Sequence, residues 1–128
     1  MKSKKQLGIW MDHSTAYLMA LTNGTIVSST IESSPILQGD QQNVYKDESH
    51  GLNKEQGQLS TYYRKLGDVI LDYDEAVLFG PTEAKNELFN LIKENHLFDK
   101  IEIAIQPADK MTESERNTFV TSYFNAPR

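Results

Sequence analysis

The run Glu75-Ala76-Val77-Leu78-Phe79-Gly80-Pro81-Thr82-Glu83-Ala84-Lys85-Asn86-Glu87-Leu88 decides the fold. Its first five residues suit a buried strand, Gly80-Pro81-Thr82 breaks that strand, and Ala84, Leu88, Leu91 and Ile92 then recur on one helical face. Asn95-His96 ends this helix, which the pattern places near residues 82–95. Downstream, Ile101, Ile103 and Ile105 alternate with Glu102 and Ala104 until Pro107 stops the run, so a second strand follows the helix. A strand, a helix and a strand in succession form a crossover that makes the two strands parallel and is right-handed.

Reading outward from this unit toward the N-terminus, Leu7 to Asp12, Thr15 to Leu21 and Thr25 to Ile31 are three short runs rich in apolar and β-branched residues. Asn23-Gly24 supplies the positive φ angles of a tight hairpin turn, and the three runs read as an antiparallel meander. Leu59, Tyr62, Tyr63, Leu66, Val69, Ile70 and Tyr73 fall at helical spacing, with Arg64, Lys65, Asp68 and Asp72 on the other side. They predict an amphipathic helix near 56–73, its tyrosines serving as core with their hydroxyls at the margin rather than as a stacking platform. A last helix near 113–125 opens with the capping-box spacing of Thr112 and Glu115 and buries Phe119, Val120, Tyr123 and Phe124. The order βββ-loop-α-β-α-β-α then yields an α/β fold: a mixed five-stranded sheet in the order 3-2-1-4-5 with three helices.

The 128 residues, 38% of them hydrophobic and 24% charged, suit one domain spanning 1–128. Residues 33–54, with Pro35, Gly39, Gly51 and many polar side chains, read as a long mobile loop within it. Thirteen Lys and Arg against eighteen Asp and Glu give a net charge of −5, which provides no bulk positive field for DNA or for a general RNA coat. The chain has no cysteine, which removes disulfides, thiolate metal sites and cysteine nucleophiles and fits a reducing cytoplasm. Lys2, Lys4 and Lys5 before Leu7 to Met11 imitate a secretory signal, but Asp12 and His13 interrupt the apolar run after five residues. A cytoplasmic protein without a membrane segment is expected.

In the order 3-2-1-4-5 the carboxyl ends of strands one, four and five meet at one edge, where open α/β sheets place their ligands. The residues delivered there are Asp12 and His13, then Gly80, Pro81, Thr82 and Lys85, then Gln106, Asp109 and Lys110. The turn after strand four feeds a helix N-terminus, which suits a phosphate or carboxylate, although the G-x-x-x-x-G-K-[ST] spacing of a phosphate loop is absent and an ordinary strand-to-helix turn explains it as well. Asp12 has the position of a metal ligand or general base, but strand four ends in Phe79-Gly80 with no matching acid. The alternative is that Asp12 accepts hydrogen bonds from the Ser14 and Thr15 backbone in its own turn. His13, His50 and His96 lack ligand spacing, and no G-x-S-x-G elbow occurs. The edge is therefore read as a binding surface, with no catalytic set, metal or cofactor assigned.

Gly8-Ile9-Trp10-Met11-Asp12-His13-Ser14-Thr15-Ala16 resembles the "W-I-D-H-x-x-A" opening of a bacterial family, and residues 80–87 are similar to its "G-P-x-x-A-K-x-E" segment. That family, called translational machinery proteins, comprises small relatives of the middle domain of archaeo-eukaryotic peptide-chain release factors and Pelota. The resemblance extends to Ala108-Asp109-Lys110-Met111-Thr112 and implies a ribonuclease-H-like fold. Release factors carry Gly-Gly-Gln in the loop after the meander. Here that region has only Gln38-Gly39-Asp40-Gln41-Gln42 and Glu55-Gln56-Gly57-Gln58, without the glycine pair the required backbone needs. The expectation is thus a non-catalytic, translation-factor-like binding domain with ribosome- or RNA-bound factors as partners. The rival readings are a phosphoester or nucleotide hydrolase using Asp12, His13 and Asp109, and a protein-interaction module acting as a homodimer.

Overall fold

The computed structural model describes residues 5–22, 24–33 and 51–125. Its strands are β1 (Gln6–Met11), β2 (Thr15–Thr22), β3 (Thr25–Glu32), β4 (Glu75–Gly80) and β5 (Glu102–Pro107). Its helices are α1 (Gly51–Ile70), α2 (Ala84–Ile92) and α3 (Glu113–Asn125), and a 3-10 turn lies at His96–Phe98. The strands form one sheet in the order β3-β2-β1-β4-β5, as the sequence pattern predicts. β1 is antiparallel to β2, with Trp10 opposite Tyr17, and parallel to β4, with Trp10 opposite Phe79. β4 and β5 are parallel, and β2 and β3 form an antiparallel hairpin in which Gly24 adopts a φ of 81°, a value that favours glycine.

Helices on both faces bury β4 from Glu75 to Gly80, which explains why that run shows no alternation. On one face Leu7, Ile9, Met11, Leu18 and Leu78 pack with Tyr62, Tyr63, Leu66 and Ile70 of α1 and Leu88 and Ile92 of α2. On the other, Trp10, Met19, Leu21, Val77 and Phe79 pack with Val120 and Phe124 of α3. α3 sits so close to the sheet that a Cβ on Gly8 would lie 2.3 Å from a methyl of Val120. Lys5 and Asp74 exchange backbone and side-chain hydrogen bonds of 2.8 Å, which tie the start of β1 to the turn before β4.

Helix ends differ from the sequence pattern. α1 begins at Gly51, so Gly51 to Lys54 of the predicted loop are helical, and it ends at Ile70 because Leu71, Asp72 and Tyr73 turn toward β4. α2 ends at Ile92, and Asn95 instead caps the 3-10 turn by accepting the Leu97 N–H, which delivers Phe98 to the core. Residues 34–50 of the predicted loop, and Asn23 of the hairpin turn, lie outside the described residues. Among the described residues no helix is long and apolar enough to cross a membrane.

Candidate functional site

Parallel pairing of β1, β4 and β5 brings their carboxyl ends together, and each predicted residue there has a definite position. Asp12 closes β1 with an Asx turn: its Oδ1 accepts the Ser14 N–H at 2.8 Å and the Thr15 N–H at 2.9 Å. Its own N–H donates to the Thr15 carbonyl at 3.0 Å, and its carbonyl accepts the Tyr62 hydroxyl at 2.8 Å. Burial, and next the negative charge of Asp12, push the Tyr62 phenol far above its ordinary range. The turn is therefore held by three independent groups and by a tyrosine that stays neutral.

Gly80 ends β4 with a φ of 146°, and a Cβ there would lie 2.2 Å from the Met11 carbonyl oxygen. Only glycine lets β4 pass β1 this closely while the chain turns into α2. Pro81 is exposed, the Thr82 hydroxyl accepts the Ala84 N–H at 3.1 Å, and the Lys85 ammonium, almost wholly buried, donates to the Thr82 carbonyl at 2.7 Å. Lys85 thus ties the first turn of its own helix to the preceding bend. Glu83 precedes α2 and Glu87 lies in its first turn, so two carboxylates of the chain already complement the positive end of the helix. Asp109 and Lys110 are exposed, and the Asp109 carbonyl accepts the Trp10 indole N–H at 3.2 Å. The residues after β5 are therefore clamped to β1 through the backbone of Asp109. Thr112 and Glu115 form the predicted capping box, with reciprocal bonds of 2.9 and 3.1 Å.

His13 does not join Asp12 or Asp109 in a hydrogen-bonded set. Its Nε2 lies 3.0 Å from Oε1 of Glu87, and the same oxygen accepts the Tyr63 hydroxyl at 2.6 Å. His13 and Glu87 are both close to half exposed. The Tyr63 bond, more than the contact with His13, holds the Glu87 carboxyl below its ordinary range, while burial works in the opposite sense. Burial, and then the bond to Glu87, push the Tyr63 phenol far up. The arrangement is an ionised carboxylate with one oxygen shared by a neutral phenol and a half-exposed imidazole. Sequence reading missed Glu87 and Tyr63 as part of this edge, although Glu87 ends the quoted "G-P-x-x-A-K-x-E" segment and Tyr63 stands in the apolar stripe of α1. Among the described residues no three His, Asp or Glu side chains converge as a metal site.

No family model matches the sequence, and no curated protein is similar to it. Solved structures are similar. The Pelota protein of Thermoplasma acidophilum matches 93% of this chain at 14% identity with a TM-score of 0.59, and Pelota of Archaeoglobus fulgidus matches 92% at 12% identity with a TM-score of 0.55. Dom34 of S. cerevisiae, described as a translation termination-like factor involved in RNA quality control pathways and interacting with Hbs1, matches 94% at 11% identity with a TM-score of 0.46. The chain spans 32% and 31% of the two Pelota chains. The mixed 3-2-1-4-5 sheet with its three helices is thus the fold of one part of Pelota.

Proposed function

We propose that the chain is a non-catalytic, translation-factor-like binding domain that docks on ribosome- or RNA-bound factors. The docking surface is the strand-end edge of Asp12, His13, Gly80, Pro81, Thr82, Lys85, Asp109 and Lys110. One observation carries this reading: two of the polar groups at this edge, Asp12 and Lys85, are committed to holding their own turns. Asp12 is bound to the Ser14 and Thr15 amides, and Lys85 is bound to the Thr82 carbonyl. Turns fixed by their own hydrogen bonds present a set shape, which serves recognition. The translational role draws on the sequence resemblance and on the likeness of the fold to Pelota, and it is an analogy of fold to function.

The test is co-sedimentation of the purified chain with bacterial ribosomes, with and without ribonuclease. His13→Ala and Lys110→Glu change exposed groups and are expected to weaken co-sedimentation at unchanged melting temperature. Absence of co-sedimentation at low salt would remove the translational role. Hydrolysis of a generic phosphodiester that Asp12→Asn abolishes would replace the binding reading with the hydrolase.

A further inference from the structure

The two edges of the sheet are treated very differently. β5 is six residues long, begins with Glu102 and ends in Pro107, both of which discourage addition of another strand. β3 runs Thr25-Ile26-Val27-Ser28-Ser29-Thr30-Ile31-Glu32 and pairs with β2 residue for residue, without a bulge. It contains no Lys, Arg or Pro, and its one charge, Glu32, is at its end. Six of its eight residues are exposed, and Val27 is 65% exposed. α3 packs over β1 and β2, so Ser28 and Thr30 line an open cavity of about 200 Å³ beside Arg116 and Asn117. Bulge-free edges whose one charge lies at the strand end are templates for strand pairing.

The hydrogen-bonding phase of the edge is fixed. The Ser33 N–H donates to the Ser14 carbonyl at 2.9 Å, so odd-numbered residues of β3 turn their backbone groups to β2. Ile26, Ser28, Thr30 and Glu32 consequently turn theirs outward. Two copies related by a two-fold axis normal to the sheet keep each side chain on its own face, which allows only registers whose paired residue numbers have an even sum. The register centred on Ser29 matches like with like. Ser28 meets the partner's Thr30 in a hydrogen-bonded pair, and Val27 meets the partner's Ile31 in a non-hydrogen-bonded pair, where side chains are closest. Glu32 falls opposite the partner's Ile26, and the two Glu32 carboxylates lie about 20 Å apart, beyond the reach of their repulsion in physiological salt. Centring on Ser28 instead would set Val27 against the partner's Ser29 and Ile26 against the partner's Thr30.

We propose that β3 is a self-pairing edge: two copies of the chain join antiparallel, β3 to β3, across a two-fold axis at Ser29, and form one continuous sheet. This inference is independent of the translational reading. A single strand pair buries less than the roughly 1,200 Å² of a standard interface, so the dimer is a weak one that forms as concentration rises.

The chain has no cysteine, so a single introduced thiol reports the register cleanly. Ser29→Cys sets two thiols directly opposite at a close pair and is expected to give a covalent dimer under mild oxidation, whereas Thr25→Cys is expected to stay monomeric. Sedimentation velocity of the unmodified chain is expected to show a mass rising toward the dimer from micromolar to millimolar concentration. Ser28→Pro removes an outward N–H that the β2 ladder does not use, and it is expected to abolish both the mass increase and the Ser29→Cys cross-link while circular dichroism is unchanged. Should that variant unfold, Val27→Lys places a charge against the partner's Ile31 and is expected to have the same effect. A monomer at every concentration, equal cross-linking of the two cysteine variants, or a dimer that survives the substitutions would each overturn the proposal.

Discussion

The two faces of the sheet are held by different means. Where α1 and α2 cover it, the tyrosines send their rings into the core and their hydroxyls outward to fixed acceptors, the Asp12 carbonyl and the Glu87 carboxylate. Where α3 covers it alone, cohesion comes from rings: Phe119 stacks on Phe79 at 4.1 Å, and the Arg116 guanidinium lies 3.8 Å from the centre of the Tyr17 ring. Arg116 donates from Nη1 to the Met111 carbonyl at 2.8 Å, yet its Nε and the Asn117 Oδ1 are buried without a partner among the described residues. An unsatisfied buried polar atom costs about 1–3 kcal/mol. The first face thus pins the Asp12 turn and Glu87 through phenolic hydroxyls, while the second pins the residues after β5 through the Trp10 indole and also holds two buried polar atoms without a partner among the described residues.

Three substitutions bear on that contrast. Leu66 is wholly buried among α1, α2 and the sheet, and Leu66→Ala is expected to cost about 2–5 kcal/mol in denaturant unfolding. A cost below about 0.5 kcal/mol would show that this face does not carry the core. On the α3 side, Gly8→Ala drives a methyl into Val120 and is expected to cost about 1–3 kcal/mol, most of it recovered in the double variant with Val120→Ala. Lack of recovery would mean that the close approach of α3 is not what requires glycine. Arg116→Met loses the Met111 bond and the contact with Tyr17 but also removes a buried unsatisfied donor, so the two terms offset and the net change is expected within about 1 kcal/mol. A loss above about 3 kcal/mol would show that the guanidinium holds α3 in place.

These substitutions also mark what the sequence made legible. The strand order followed from local signals, namely three β-branched runs, a Gly-Pro break and two helical stripes, each of which admits few continuations. The Asp12 turn was readable because an Asx residue bonds to neighbours two and three positions away, and the Thr112 capping box was readable for the same reason. The contact of His13 with Glu87 spans 74 positions and that of Trp10 with Asp109 spans 99, so no spacing rule reaches them and only the packed sheet brings them together. The start of α1 was hidden because Gly51, Asn53 and Gly57 are weak helix formers individually, while Lys54, Glu55, Gln56 and Gln58 between and after them favour the helix. The bond of Lys85 to the Thr82 carbonyl was not legible either, because spacing places a lysine beside the helix start without saying that burial turns its ammonium back onto the preceding bend.

The smallest expected effect lies at the candidate site and is a matter of pH. Glu87 is held below its ordinary range in the fold, so as pH falls the unfolded chain takes up its proton first. The stability that ionised Glu87 contributes is therefore fully present above the ordinary glutamate value of about 4.3 and is lost as pH drops through the lower folded value. Because the side chain is nearly half exposed, the contribution is expected to stay below about 1 kcal/mol. Tyr63 works in the opposite limb: its phenol is raised, so its contribution is present below about pH 10 and is lost only as pH climbs through the folded value. Melting temperature measured from pH 6 to 3 should fall less steeply for Glu87→Gln than for the unmodified chain, and Tyr63→Phe should flatten the same acid limb because it removes the main bond that lowers Glu87. Parallel acid limbs for all three proteins would mean that Glu87 is not ionised against Tyr63 and His13. The strand ends would then be pinned by the Asp12 turn and the Trp10 bond alone.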